Sequence, residues 1–114
     1  MKATEKMSTD LRLVYMTAGS TEEAHLIGEA LVAEQLAACV NLIDGMTSIY
    51  RWEGQVRRDT ETVIIAKTTE QLIMALTDRV KTLHSYECPC IVTLPIDAGN
   101  VEFLGWISNQ VKPL

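Results

Sequence analysis

No apolar run in this sequence approaches the roughly 18 residues that a membrane-crossing helix needs. The first ten residues, Met1 to Asp10, are polar and carry no export-type apolar segment. Both absences point to a cytoplasmic protein that does not engage a membrane. Basic charge is scarce too. Ten Lys and Arg stand against 15 Asp and Glu, and Arg57-Arg58 is the only basic pair. The net charge of -5 therefore argues against a nucleic-acid partner. Cysteine is limited to Cys39, Cys88 and Cys90, an odd set that does not suit a disulfide framework. The six glycines are dispersed, with no phosphate-cradling loop, no nucleophile elbow and no paired-histidine metal motif of the hydrolase kind. Nothing in the sequence supports enzyme activity. Linkers, repeats and low-complexity tracts are also missing.

What is present is enough apolar residue, 47% of 114, to build one core. The expected organisation is a flexible tail over residues 1–10 and one domain over residues 11–114. Leu11 to Met16 predicts a strand. Ser20 with Glu23 three residues later has the form of a capping box, and Ala24, Ile27, Ala30 and Leu31 follow at helical spacing to about Leu36. Two extended runs, Ala38 to Arg51 and Gln55 to Lys67, predict one long hairpin turning near Trp52-Glu53-Gly54, with a bulge at Asp44-Gly45. Thr69 is positioned to cap a second helix with the stripe Leu72, Ile73, Leu76, Val80 and Leu83. A strand from Cys90 to Ile96 and a last helix from Val101 to Val111 complete the order.

Strand, helix, strand, strand, helix, strand is the layout of two βαβ crossovers joined by a hairpin. It predicts an α+β, ferredoxin-like split βαβ sandwich with a long protruding hairpin and a C-terminal helix. Each hairpin arm, at roughly a dozen residues, is about twice the usual strand length. Helices can cover only one face of the sheet, yet both faces read as apolar. Val63 and Ile65 oppose Ile64 and Ala66, and Val92 and Leu94 oppose Ile91. The uncovered face calls for a second copy of the chain in closed symmetry, of an order the pattern does not fix.

The segments Leu36-Ala-Ala-Cys-Val-Asn41, Ser48-Ile-Tyr-Arg-Trp-Glu-Gly54, Lys67-Thr68 and His84-Ser-Tyr-Glu87 occur in that order. Leu94-Pro-Ile96, Gly99-Asn100 and Phe103-Leu-Gly-Trp106 follow them. The ordered set, spanning about Leu11 to Val111, resembles the CutA family of divalent-ion-tolerance proteins. The resemblance implies a P-II-like homotrimer in which the hairpin reaches across a neighbour, a role in metal-ion response, and copper or another divalent cation as ligand. Two positions depart from the family pattern: Ser85 replaces a proline, and Cys90 stands where a glutamate is usual. Met16 occupies a place that is a cysteine in some copper-binding members.

Two candidate sites follow. In Cys88-Pro89-Cys90, thiols two residues apart share a side of an extended backbone and suit a soft ion such as Cu(I) or Zn(II). His84 and Met16 complete the expected metal set. The competing reading makes Cys90 a buried strand residue, Cys88 an incidental loop thiol, and His84 a cap on its helix. Cys39, beside two alanines, reads as core. The second site is a cleft for a small anionic effector. Glu61 and Lys67 share a strand face with Val63 and Ile65. The resemblance adds Asn41, Trp52, Glu53 and Tyr86, with an ion pair between subunits as the alternative for Lys67. Tyr50 and Trp52 have the character of interface anchors.

Overall fold

The computed structural model describes residues 9–113. Its order is β1 (Leu11–Ala18), α1 (Thr21–Ala33), β2 (Cys39–Trp52), β3 (Gln55–Thr69), α2 (Ile73–Leu83), β4 (Ile91–Pro95) and α3 (Val101–Gln110), with a single 3-10 turn at Glu70–Leu72 before α2. The strands form one antiparallel sheet in the order β2-β3-β1-β4. This is the arrangement expected of two interleaved βαβ units. Most of the expected N-terminal tail lies outside the described residues. Its last two members are bonded into the fold: the Thr9 hydroxyl donates to the Ile96 carbonyl, and the Asp10 carbonyl accepts from the Glu70 N–H.

Local chemistry sets the elements. Ser20 caps α1 by accepting from the Glu23 N–H at 3.1 Å, with Glu22 and Glu23 in the first turn. Ala24, Ile27, Gly28 and Leu31 face the sheet. A Cβ on Gly28 would stand 3.1 Å from Val40 Cγ1, so glycine lets α1 lie close on β2. The helix ends at Ala33, before the expected Leu36. The Gln35 N–H bonds to the Val32 carbonyl and the Leu36 N–H to the Leu31 carbonyl, with Gln35 in the left-handed region at φ 60°. That is a Schellman ending built without its customary glycine. At α2 the expected Thr69 cap is replaced by the 3-10 turn. The Thr69 side chain is buried and makes no capping bond.

The core lies between the helices and one sheet face, where Val14, Met16, Ile64 and Ala66 meet Ile27, Leu31, Leu72, Leu76 and Val80. The register puts Leu13, Tyr15, Asn41, Ile43, Val63, Ile65, Val92 and Leu94 on the other face. No element of the described chain covers that face, and Ile43, Val92 and Leu94 are about half exposed on it. Beyond Thr62 the ladder to β1 stops. The hairpin from Met46 to Glu61 then continues as a two-stranded ribbon, and the molecule extends to 50 × 28 × 22 Å.

Candidate functional site

A cleft of about 790 Å³ opens on the uncovered face, where the ribbon leaves the sheet. Tyr15 and Thr17 of β1 form its floor. The ribbon supplies Met46, Thr47, Ser48, Ile49, Tyr50, Trp52, Arg57 and Glu61. The loop before β4 supplies Tyr86, Glu87, Cys88 and Cys90. The bulge aims the ribbon. Ile43 pairs with Val63 and Met46 with Glu61, so Asp44 and Gly45 together oppose Thr62. The extra residue, with Gly45 at φ 73°, shifts the alternation of β2. Met46, Ser48, Tyr50 and Trp52 thereby share the face of Ile43. A two-residue turn, Glu53 at φ 51° and Gly54 at φ 78°, closes the hairpin where the sequence predicts it.

Glu61 joins the two walls. Its Oε1 accepts from Ser48 Oγ at 2.6 Å, and its Oε2 accepts from the Tyr86 hydroxyl at 2.8 Å. Burial, then the bond to Glu61, raises the Tyr86 phenol far above its ordinary range. Tyr86 therefore stays a neutral donor. Tyr50 donates to Asp59, and that bond raises the Tyr50 phenol as well. Partial desolvation and the nearby Glu61 charge push the Cys90 thiol up, so it stays protonated at neutral pH without a partner cation.

His84 closes α2 and is buried. Its N–H bonds to the Val80 carbonyl at 2.8 Å and its Nε2 lies 2.7 Å from the Thr17 carbonyl, while its Nδ1 accepts the Tyr86 N–H at 3.1 Å. Both ring nitrogens are thus engaged by the backbone, in the tautomer with the proton on Nε2. His84 orients Tyr86, whose ring lies 4.6 Å from its own. Ser85 donates to Glu23 through both its N–H, at 2.5 Å, and its hydroxyl, at 3.0 Å. A proline there would lack the first donor.

Of the four expected metal donors, the structure brings together two. Cys88 and Cys90 line the same cleft. Met16 is fully buried on the helix-covered side, since it pairs with Ile91 while Tyr15 pairs with Val92 on the open side. His84 has no ring nitrogen left for a metal. Among the described residues no group of three or more His, Cys, Asp or Glu is poised around one point. The six expected effector residues also separate. Trp52, Glu61 and Tyr86 line the cleft; Glu53 is at the exposed turn and does not. Lys67 Nζ donates to Asn41 Oδ1 at 2.7 Å. This pair lies six residues along β3 from Glu61, about 20 Å at ordinary strand rise. Cys39 is half-buried on the open face beside Lys67, with Sγ 3.6 Å from Nζ, rather than in the core.

The sequence reading missed Tyr15, Thr17, Met46, Thr47, Ser48, Ile49, Arg57 and Glu87 as cleft residues, and Glu23 as the anchor of the loop. Once the bulge is placed, cross-strand counting from Glu61 finds Met46 and Ser48. Glu23 is 62 positions from Ser85, and no local signal links them.

A family model described as CutA1 divalent ion tolerance protein matches residues 12–110. The Divalent-cation tolerance protein CutA of Thermus thermophilus is 50% identical over 98 residues, covering 86% of this chain and 95% of that protein. Protein CutA 1, chloroplastic, of Oryza sativa is 41% identical over 100 residues, which is 88% of this chain and 56% of that longer protein. The solved structure of the divalent cation tolerance protein (Cut A1) from Thermus thermophilus superposes with a TM-score of 0.88 at 47% identity, covering 90% of this chain and 99% of that one.

Proposed function

This chain belongs to the CutA1 divalent ion tolerance family, and on that premise we propose that it is a homotrimeric, metal-responsive protein that takes up copper or another divalent cation at its cleft. The observation that carries this reading is the placement of Cys88 and Cys90 on one cleft wall, with the Glu61 and Glu87 carboxylates in the same lining. Two sulfurs are a soft grip suited to Cu(I); among the described residues Glu61 and Glu87 line the same cleft without completing a ligand set around them. Because Cys90 holds its proton at neutral pH, metal uptake releases a proton and strengthens as pH rises. The role is binding rather than catalysis. The cytoplasm is its proposed location, a reducing compartment in which its three free thiols persist.

The trimer is supported by the uncovered sheet face and by the ribbon that projects past β1. A two-stranded ribbon alone is marginal in water. Burying a few hundred Å² of this face at ~25 cal/mol per Å² contributes several kcal/mol. Calorimetric titration with Cu(I), Cu(II) and Zn(II) tests the site. Uptake should fall at least tenfold in the Cys88→Ser, Cys90→Ser double variant, and persist in Met16→Leu. Equal uptake by wild type and the double variant would contradict it.

A second reading rests on Lys67. Its polar neighbours among the described residues are Asn41 and Cys39, with no carboxylate in pairing distance. A cation so placed on the open face suits an anionic effector or a neighbouring copy's carboxylate. Stabilisation by small anionic metabolites that disappears in Lys67→Ala, with no response to metals, would favour the effector.

A further inference from the structure

The chemistry of Cys88 and Cys90 extends past cation binding. Both thiols are free and exposed, on either side of Pro89. The segment between α2 and β4 belongs to no regular element. It is fixed at Ser85 by Glu23 and at Ile91 by the β1 ladder. Between those points, among the described residues, Glu87, Cys88 and Cys90 make no turn or loop backbone hydrogen bond and no side-chain hydrogen bond. This stretch can therefore bend without breaking the sheet. Residues two apart in extended chain have Cα atoms about 6.6 Å apart. Disulfides tolerate about 4.4–6.8 Å, so a small flexion brings the two sulfurs into bonding range. Cys39 cannot take part, since it sits beside Lys67 near the base of the hairpin, at the other end of the open face.

We propose that Cys88 and Cys90 form a reversible dithiol–disulfide couple that exchanges with small-molecule disulfides. The Cys88 thiolate attacks one sulfur of the small disulfide, forming a mixed disulfide and expelling one thiolate. Cys90 then gives its proton to water and attacks Cys88 Sγ, expelling the second thiolate. The two protein thiols are oxidised to one disulfide, and the small disulfide is reduced to two thiols. An exposed bond in so tight a ring belongs with labile, exchangeable disulfides rather than structural staples. The couple stands whether or not the cleft takes a metal.

Equilibrating the purified full chain with mixtures of reduced and oxidised glutathione, then trapping thiols by alkylation, tests this. As the mixture becomes more oxidising, two of the three thiols should disappear together. Intact mass should fall by two hydrogens, with one peptide linking Cys88 to Cys90 and Cys39 alkylated throughout. Excess reduced glutathione should restore all three thiols. Cys88→Ser and Cys90→Ser should each stop at a glutathione adduct on the remaining partner, and Cys39→Ser should behave as wild type. Three thiols surviving the most oxidising mixture would overturn the proposal. So would a wild-type chain that stops at the mixed disulfide, or a bridge to Cys39 or between chains.

Discussion

Glu61 couples the ribbon to the loop before β4 through one carboxylate, and its removal should be felt on both sides. In Glu61→Gln the charge that helps to hold up the Cys90 thiol is gone. The Cys90 thiol should become more acidic, and alkylate faster at neutral pH, while the chain loses about 1–2 kcal/mol of stability. Unchanged alkylation would separate Cys90 from Glu61. Tyr86 makes a pH-dependent contribution whose sign follows from its raised phenol. Below pH 10.0 the folded and unfolded chains both hold the proton, and the contribution is complete. Above that the unfolded chain ionises first, so stability falls as pH climbs. Denaturation midpoints followed upward from pH 10 should show a decline that is smaller in Tyr86→Phe. At this scale the sequence shows two cysteines two positions apart, and the structure places both in the loop before β4, lining one cleft. The sequence did not reveal that the His84 nitrogens are taken. One of their partners, Thr17, is 67 positions away.

Among the elements, the hairpin is the one whose errors matter most for the cleft. Asp44-Gly45 announces its bulge, and the structure uses it to turn four ribbon side chains toward the floor. Gly45 meets nothing that a Cβ would strike, so Gly45→Ala isolates the cost of its left-handed backbone, about 1 kcal/mol by denaturant titration. Deleting Gly45 is a different change. It restores simple alternation, turns Trp52 and Tyr50 to the opposite face, and should shift Trp52 emission. Unchanged Trp52 emission would mean that the bulge does not set the face of the ribbon. Element boundaries were legible where a residue type carries the signal, as at Ser20 and Glu53-Gly54. They were illegible where an unusual residue takes the position. Gln35 in a left-handed ending and the turn at Glu70–Leu72 both depend on tertiary neighbours: Gln35 accepts from Lys112 through its carbonyl, and Glu70 donates to Asp10.

For the whole molecule, strand order and the two-sided apolarity of the sheet were both readable before any coordinates. Alternation assigns strand residues to a face on either side of the bulge at Asp44-Gly45, and helices are available for one face only. What alternation cannot supply is the angle at which the ribbon leaves the sheet, or the way loop and ribbon converge on Glu61. The open face carries Ile43, Val92 and Leu94 to solvent in a single chain, and the cleft lies along it. Closure by like copies is therefore the claim on which both the stability and the site depend. Sedimentation equilibrium of the purified chain at micromolar concentration tests it most directly. The mass should be three times the 12.7 kDa of one chain, with no dissociation on dilution. A folded, soluble species of single-chain mass would contradict it.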